Sequence, residues 1–296
     1  MQNLREVITG DGSYSLWSHK FRELFHSSLG AFEETKIKFI EPSMLNRFQD
    51  KSLNVLDACF GLGYNSAFLF KNLLNQSSIL TWYGLEIDKT PICYALTNES
   101  FRELWDGRVL EILDSLSQKG AFNNNLFVCN LIWGDARNKI SKIPSGINFD
   151  LIFLDSFSPQ RCPELWTIEF LTMLKNKLKD NGYLITYSSS AAVRKALKDM
   201  GLKIFNIRPK IIQNTSWSAG TLAIKNINVD DIESNPFTAE LTTREIEHLK
   251  TKASVPYRDP SGNSTSQEII KEREKEQLSS KLNNTKMWRE KWKMTK

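Results

Sequence analysis

The sequence predicts an α/β fold built on an open, mostly parallel β-sheet, and three observations lead to this prediction. An apolar run at residues 53–57 ends in an acid and a glycine-rich turn, after which a helical pattern begins. From there to the end of the predicted sheet, strand-like apolar runs alternate with helical patterns, which is typical of βαβ units. Four consecutive strand-like runs also end in carboxylates, which would meet at one edge of a parallel sheet.

The composition is that of a globular protein with a mild basic bias. A chain of 296 residues suits one large domain or a domain with extensions, and 41% hydrophobic residues are ample for a core. The net charge of +5 permits nucleic-acid binding without demanding it. The four cysteines form no C-x-x-C pair, so we expect buried thiols in a reducing compartment and no zinc site or disulfide framework. Because the chain shows no signal-peptide pattern and no membrane-length apolar run, we expect a cytoplasmic protein without membrane contact.

Three parts are predicted along the chain, an N-terminal extension, a central ligand-binding domain and a basic C-terminal tail, at residues 1–50, 51–228 and 229–296. Within the extension, Asp11-Gly12 between two strand-like pieces predicts a β-hairpin. Residues 19–29 carry apolar side chains at helical spacing and predict an amphipathic helix, whose end holds His26 as a capping or packing residue. The stretch IKFIE at residues 37–41 predicts a strand. We expect this extension to cover the sheet edge or a crevice there.

The glycine-rich turn after the first strand of the central domain is a candidate ligand-binding loop. Gly61 and Gly63 can adopt positive φ and let a ligand approach the backbone. Asp57, at the strand end, could accept hydrogen bonds from loop amides or from a ligand ammonium. A phosphate-binding P-loop would need Lys and Ser/Thr after the last glycine, where this chain has Tyr-Asn, and a dinucleotide fingerprint would need another glycine earlier in the turn.

Carboxylates also end the next three predicted strands. Glu86 is placed to accept both hydroxyls of a ribose, and Asp88 could face the same way or cap the next helix. Asp135 could accept a hydrogen bond from an adenine amino group while the amide of Ala136 donates to a ring nitrogen, or it could cap a helix. Asp155 ends the fourth strand. A purely structural protein has little reason to collect these charges, so we predict a crevice for a cofactor that carries ammonium, ribose and adenine.

Several stretches resemble a known family. The acid-x-x-x-G-x-G pattern at residues 57–63 is similar to motif I of the class I S-adenosylmethionine (SAM) methyltransferases. Four blocks resemble the methyltransferase half of the bacterial MnmC enzymes, and a fifth resembles the tail of its free-standing, DUF752-like relatives: DACFGLGYN (57–65), NLIWGDA (130–136), DSFSPQRCPELWT (155–167), FHSSLGAFEETKIKFIE (25–41) and TTREIEHLKTKASVPYRDP (242–260). The block at 155–167 is the most specific, since a generic methyltransferase would not need it.

The resemblance implies a Rossmann-like, seven-stranded, mostly parallel sheet whose last strand is antiparallel. It implies SAM-dependent N-methylation of 5-aminomethyl-uridine, or its 2-thio form, at wobble position 34 of tRNA, with no metal. Since no second glycine-rich βαβ unit is present, we expect no FAD-dependent oxidase half, and another enzyme would supply the aminomethyl substrate. The chain departs from the commoner glycine pattern at Cys59, which should be tolerable if that residue keeps negative φ.

The resemblance also implies roles for individual residues. Asp155 is expected to orient the lone pair of the amine or to assist its deprotonation, and Phe157 to stack on the uracil, line the methyl pocket or anchor the loop. Trp166 is expected to pack under that loop, which Pro159 would stiffen. The residues expected to bind the cofactor are Asp57, Phe60, Gly61, Gly63, Asn65, Glu86, Asp135, Ala136 and Asp155. The residues expected to contact RNA are Arg161, Arg208 and Lys210, with Lys250, Lys252 and Arg258 as further candidates.

Other interpretations stay open from the sequence. Trp288 and Trp292 lie four residues apart and could bind RNA or a partner, or could pack on the domain. The D-S-x-x-P sequence after the fourth strand also resembles polyamine aminopropyltransferases, which bind decarboxylated SAM. A non-catalytic RNA-binding module on the same scaffold is a third possibility, against which the intact carboxylates argue.

Overall fold

The computed structural model describes residues 4–27, 30–76, 78–208, 218–226 and 235–294. The N-terminal extension begins with a three-stranded antiparallel sheet of β1 (Leu4–Ile8), β2 (Tyr14–Ser18) and β3 (Glu23–Leu24). The predicted hairpin is confirmed, since β1 and β2 pair across the turn. The carboxylate of Asp11 closes this turn by accepting hydrogen bonds from the backbone NH of Ser13 at 3.0 Å and from the hydroxyl of Thr9 at 2.8 Å.

The amphipathic helix predicted at residues 19–29 is wrong in the described part of that segment. The chain turns after β2 and returns as β3, which pairs Leu24 with Trp17. The backbone NH of Phe25 extends the pairing by donating to the carbonyl of Leu16 at 2.9 Å. These bonds to β2 satisfy backbone groups that a helix would satisfy internally.

The central sheet contains nine strands among the described residues. They are β4 (Ser52–Asp57), β5 (Ile79–Glu86), β6 (Ala121–Asn123), β7 (Phe127–Trp133), β8 (Phe149–Phe153), β9 (Leu178–Thr186), β10 (Lys203–Ile207), β11 (Gly220–Ile224) and β12 (Thr238–Ala239), in the order β12-β10-β11-β9-β8-β4-β5-β7-β6. Strands β7, β5, β4, β8 and β9 are parallel, and β11 lies antiparallel between β9 and β10. This confirms the predicted seven-stranded arrangement, to which β6 and β12 add a short antiparallel strand at each edge.

Helices cover both faces of the central sheet. They are α1 (Ala31–Thr35), α2 (Glu41–Ser43), α3 (Tyr64–Leu73), α4 (Thr90–Thr97), α5 (Glu99–Arg102), α6 (Gly107–Lys119), α7 (Ala136–Lys139), α8 (Ile168–Lys177), α9 (Ala191–Asp199), α10 (Thr243–His248), α11 (Ser266–Ser279) and α12 (Thr285–Lys291). Along β4, Leu53 and Val55 pack with α3 to α6 in one apolar core, whereas Leu56 packs with α8 and α9 in a second. This alternation follows from the period of two in a strand. In the described part of the chain, every helix is too short or too polar to cross a membrane.

The strand predicted at residues 37–41 is also wrong. A π-helical turn, Lys36–Ile40, joins α1 to α2 and packs against α3 and β9. Phe39 and Ile40 are adjacent in sequence and both buried, which a helical turn permits but a strand covered on one face does not. The ring of Phe39 meets the ring of Phe153 at the end of β8, with 5.8 Å between centroids.

The C-terminal tail is packed on the second face of the domain. Trp288 in α12 is 6% exposed, stacks on the ring of His248 at 4.0 Å and donates from Nε1 to the carbonyl of Arg244 at 3.0 Å. Trp292 donates from Nε1 to the carboxylate of Glu247 at 2.9 Å. The two tryptophans therefore pack on the domain, as one of the two interpretations of this segment predicts.

A buried ion pair attaches this tail to the sheet. Arg194 of α9 and Glu245 of α10 are 2% and 5% exposed and lie 2.9 Å apart. The guanidinium also donates to Thr221 of β11 and Asn206 of β10, both at 2.8 Å. Glu245 accepts from Asn206 at 2.6 Å and from the backbone NH of Thr242, whose hydroxyl caps α10. Burial opposes ionisation of Glu245, but these donors lower its pKa to about 2.

We predict that Glu245→Ala lowers the free energy of unfolding by about 3–5 kcal/mol, because it leaves a buried guanidinium without its counter-ion. The matched control is Glu240→Ala, which removes an exposed pair with Lys203 at 3.5 Å and should cost at most about 1 kcal/mol. Chemical denaturation at pH 7 measures both values. Since the pKa of Glu245 is lowered in the folded state, its contribution is present above the unfolded pKa of about 4.3 and should be lost as the pH falls to about 2. Equal losses in the two variants would contradict this account.

Candidate active site

A cavity of about 510 Å³ lies at the carboxyl edge of β4, β5 and β8, within the usual range for small-molecule sites. Its walls come from the loops after these strands on one side and, on the other, from the part of the N-terminal extension within residues 17–27 together with Glu34 and Lys38. The expectation that the extension covers a crevice is thus confirmed. A larger and more open groove of about 790 Å³ runs along α6 and β6, but its lining contains none of the predicted site residues.

Glu86 lines the cavity at the end of β5, as the sequence predicts for a strand-end carboxylate. One carboxylate oxygen accepts the backbone NH of Gly61 at 2.8 Å, and the other accepts the NH groups of Ile87 at 2.7 Å and Asp88 at 3.0 Å. Burial raises the pKa of Glu86, and these backbone donors oppose the shift. The side chain is therefore held rigidly against the glycine loop, and Asp88 lines the same wall.

The glycine loop has the backbone conformation that the sequence predicts. Gly61 and Gly63 have φ of +55° and +90°, and Cys59 is not among the described residues with positive φ, so its place in the loop costs no strain. A Cβ added at Gly63 would lie 3.1 Å from the ring of Phe60 and 3.2 Å from Ile92. Phe60 is 3% exposed and packs edge-on against a core tryptophan, so its side chain anchors the loop from inside.

Asp57 and Asn65 lie behind the cavity wall rather than in it. Asp57 is fully buried and accepts a hydrogen bond from the hydroxyl of Ser66 at 2.6 Å, while burial raises its pKa to about 8. Asn65 donates from Nδ2 to the carboxylate of Asp155 at 2.8 Å. Its Oδ1 is buried and has no hydrogen-bond partner among the described residues.

Asp155 lines the cavity just after β8. Burial and, after it, the charge of Glu34 raise its pKa to about 7, against the hydrogen bond from Asn65 and the charge of Lys38, which lower it. A carboxyl group with this pKa can exchange a proton near neutral pH. Glu34 and Lys38 belong to the N-terminal helical segment and line the cavity beside it.

Aromatic side chains close the cavity around the loop after β8. The ring of Phe157 stacks on Phe21 at 4.3 Å and meets Phe25 edge-on at 4.8 Å. The carbonyl of Phe157 accepts a hydrogen bond from Nε1 of Trp166 at 2.9 Å, and Trp166 is 1% exposed. Trp166 therefore packs under the loop as predicted. The hydroxyl of Tyr187 donates to the carbonyl of Ser156 at 2.9 Å and braces the same loop.

Asp135 and Ala136 are not part of the cavity lining. Asp135 caps α7 by accepting the backbone NH of Arg137 at 2.9 Å, and its carboxylate is paired with the Arg137 guanidinium at 2.7 Å. That guanidinium also contacts Asp259 of the C-terminal tail at 2.7 Å. The capping interpretation of Asp135 is confirmed, while its contact with adenine stays a prediction.

The predicted RNA-contacting residues are dispersed. Arg161 is exposed on the loop after β8, and Arg208 is exposed at the carboxyl end of β10. Lys210 lies outside the described residues. In the tail, Lys250 is exposed, but Lys252 donates to the carbonyl of Leu278 at 3.2 Å and Arg258 pairs with Glu276 at 3.4 Å.

Sequence reasoning missed the residues that the N-terminal extension brings to the cavity: Lys20, Phe21, Arg22, Glu23, Phe25, Glu34 and Lys38. In the sequence, the block at residues 25–41 shows only a family resemblance, because no local spacing indicates which of its side chains face a site formed after β8. His26 also lines the cavity, but it contacts the hydroxyl of Ser15 at 3.0 Å and the ring of Tyr64, and burial lowers its pKa to about 4. Its predicted packing role is confirmed.

The cysteines and other potential metal ligands add no reactive centre to this cavity. Cys129 and Cys162 are buried as predicted, but Cys59 is only half-buried, and Cys93 is exposed because its helix turns that position outward. Burial raises the pKa of Cys59 and Cys162, which line the cavity, so both thiols stay protonated. The described residues include no group of three His, Cys, Asp or Glu side chains arranged to hold a metal ion.

Comparison with known proteins gives a consistent picture. A family model described as "S-adenosyl-L-methionine-dependent methyltransferase" matches residues 99–216. The chain is 31% identical over 295 residues to protein MJ0670 of Methanocaldococcus jannaschii. This alignment covers 93% of this chain and 74% of that protein. It is 27% identical over 212 residues to the tRNA 5-methylaminomethyl-2-thiouridine biosynthesis bifunctional protein MnmC of Leptospira interrogans, but spans only 32% of its length. The crystal structure of MNMC2 from Aquifex aeolicus superposes with a TM-score of 0.79 at 28% identity, over 95% of this chain and 87% of that one.

We predict that Gly63→Ala destabilises the loop more than the matched variant Gly201→Ala. Both glycines have similar positive φ, +90° and +86°, which costs an L-residue about 1–2 kcal/mol. Only at Gly63 would the new Cβ also meet side chains, at 3.1 and 3.2 Å, whereas nothing lies within 4 Å at Gly201. Denaturant unfolding should show a further loss of about 1–3 kcal/mol for Gly63→Ala. Equal losses of unfolding free energy in the two variants would contradict this prediction, because they would mean that the loop accommodates the new Cβ without losing stability.

Proposed function

Because this chain belongs to the S-adenosyl-L-methionine-dependent methyltransferase family of MnmC and its free-standing relatives, we propose that it methylates the primary amine of 5-aminomethyl-uridine in tRNA. The product would be the 5-methylaminomethyl nucleoside, with or without the 2-thio group. One observation carries the proposal: Asp155, whose carboxyl group has a pKa of about 7, lines the same cavity as Glu86. The bifunctional relatives are about three times as long as the region that matches this chain. The substrate that their name states is therefore assigned to this chain only as part of the proposal.

The residues of the cavity fit S-adenosyl-L-methionine. The carboxylate of Glu86 is fixed by three backbone NH groups, which leaves one acceptor position on Oε2 for a ribose hydroxyl. Gly61 lines the wall without a side chain, so a ligand can approach its backbone. S-adenosyl-L-methionine supplies a methyl group bonded to a positively charged sulfur. In this arrangement Asp57 and Asn65 brace the wall on which that end of the cofactor would lie.

Asp155 would prepare the substrate amine. An alkylammonium has no lone pair, so it must lose a proton before its nitrogen can form a bond to carbon. A carboxylate at this position can take that proton and accept an N–H hydrogen bond that aims the lone pair toward the methyl group. Asn65 orients the Asp155 carboxylate through its hydrogen bond at 2.8 Å.

The aromatic side chains that line the cavity favour a nucleobase as the group that carries this amine. Phe21, Phe25 and Phe157 offer apolar ring surface next to Asp155, and an unpaired anticodon base can be splayed out to reach such a surface. Lys20 and Arg22 are exposed at the same wall and can contact phosphates, together with Arg161. We expect such a tRNA-modifying enzyme to act in the cytoplasm.

The direct test incubates the purified protein with labelled S-adenosyl-L-methionine and bulk tRNA from cells that lack its gene, followed by digestion and mass spectrometry. We expect label in the 5-methylaminomethyl nucleoside and at least a hundredfold loss of rate in Asp155→Asn. The control Asp199→Asn changes an exposed carboxylate at the end of α9 and should keep the rate. Cofactor binding without this product would contradict the substrate. Consumption of decarboxylated cofactor with putrescine would instead indicate aminopropyl transfer.

The pH dependence of the rate tests the role of Asp155. Below pH 7 its carboxyl group is mostly protonated and cannot take a proton from the amine. We therefore expect kcat/KM of the wild type to rise with pH through about 7, in addition to the rise caused by ionisation of the amine itself. Asp155→Asn should retain only the second rise. A profile of the same shape in both proteins would exclude Asp155 as the proton acceptor.

A further inference from the structure

We propose that Glu34 is a second amine-binding carboxylate of this cavity and that, together with Asp155, it restricts the enzyme to one methyl transfer per amine. The inference rests on the function proposed above and deepens it. It addresses a property of the reaction that one carboxylate does not explain. A methylated amine is still a nucleophile, so something in the site must prevent a second transfer.

Glu34 is held in place at the cavity wall. It belongs to α1, its side chain is 14% exposed, and it lines the same cavity as Asp155. One of its carboxylate oxygens accepts the backbone NH of Ser27 at 2.5 Å, and the other accepts the ammonium of Lys38, one turn later in the helical segment. A carboxylate can accept about four hydrogen bonds, so two remain for a ligand.

The two carboxylates have different environments. Burial opposes ionisation of Glu34, but Lys38 and the Ser27 amide outweigh it and hold its pKa below the usual value. Burial and the charge of Glu34 raise the pKa of Asp155 to about 7. When the environments of paired carboxyl groups push their pKa values apart, the groups take different roles. Glu34 therefore stays an anion that accepts hydrogen bonds, while Asp155 exchanges a proton.

Other groups around the pair do not replace either role. His26 and Tyr187 line the cavity, but burial keeps the imidazole and the phenol neutral. Glu23 uses its carboxylate to accept the backbone NH of Ser158 at 2.9 Å. Asn65 lies behind the cavity wall and uses its Nδ2 to donate to Asp155 at 2.8 Å, so it orients that carboxylate and does not contact the ligand itself.

The reaction balances with these groups. The substrate enters as a primary ammonium, and one proton moves to the Asp155 carboxylate. The nitrogen lone pair then forms a bond to the methyl carbon as the carbon–sulfur bond breaks, with its electron pair staying on sulfur. The products are a secondary ammonium and a neutral thioether, and Asp155 releases its proton to solvent.

Geometry at the nitrogen explains why the reaction stops there. During the first transfer the neutral amine has two N–H bonds, one for Glu34 and one for Asp155. A second transfer would need a neutral secondary amine, which has one N–H and a methyl group. One of the two acceptors would then face a methyl group and would lose the hydrogen bond that it makes to the primary amine.

The test compares Glu34→Gln with Glu33→Gln, a neighbouring carboxylate that is 45% exposed and pairs with Lys36 at 3.5 Å. We expect Glu34→Gln to form 5-dimethylaminomethyl nucleoside, detected by mass spectrometry, whereas the wild type and Glu33→Gln stop at one methyl. Without cofactor, Glu34→Gln should bind tRNA carrying the aminomethyl group about tenfold more weakly, because a charge-assisted hydrogen bond is lost, and unmodified tRNA as before. Thermal unfolding checks that each variant is folded.

Glu34→Ala serves as the second variant, since it removes the acceptor and leaves room for the extra methyl group. If it is folded, we expect the doubly methylated product here too. An active wild type together with singly methylated product and unchanged binding in the folded Glu34 variants would overturn this inference alone. A wild type that methylates no aminomethyl-uridine would instead contradict the proposed function.

Discussion

The cavity depends on the contact between the N-terminal extension and the loop after β8. Phe157 stacks on Phe21 at 4.3 Å, and the backbone NH of Ser158 donates to the carboxylate of Glu23 at 2.9 Å. Without this contact the strand ends would face open solvent, and the carboxylates there would titrate as ordinary surface acids. By covering the sheet edge, the extension lowers the local dielectric and places Glu34 and Lys38 beside Asp155.

Burial acts differently on the four strand-end carboxylates. Asp57 is enclosed behind the wall and bonded to Ser66, and Glu86 is held at the cavity by three backbone amides. Asp135 is neutralised by Arg137 and linked through it to the tail, so it has little part in the electrostatics of the cavity. Asp155 lines the cavity, where burial and then the charge of Glu34 from the extension raise its pKa to about 7.

The C-terminal tail supports the sheet on the face that is covered by α8 and α9. The buried pair of Arg194 and Glu245 joins α10 to β10 and β11, and Trp288 packs α12 onto α10. The ion pair of Arg137 with Asp259 joins the tail to α7, the helix that follows β7. Charges that a sequence reader would assign to RNA binding, such as Arg258, are partly used in this packing.

The sequence by itself determined the sheet, the glycine loop and the edge at which the site lies. These features follow from local patterns: apolar runs of strand length, glycines where positive φ is needed, and acids at the ends of four of the parallel strands. Only the tertiary structure decided what covers that edge. Residues 19–27 have a helical apolar pattern but form turns and a strand, because pairing with β2 and stacking on Phe157 satisfy their backbone and rings better. Glu34 and Asp155 share one cavity because of contacts between residues more than a hundred positions apart, and no spacing within either segment records those contacts.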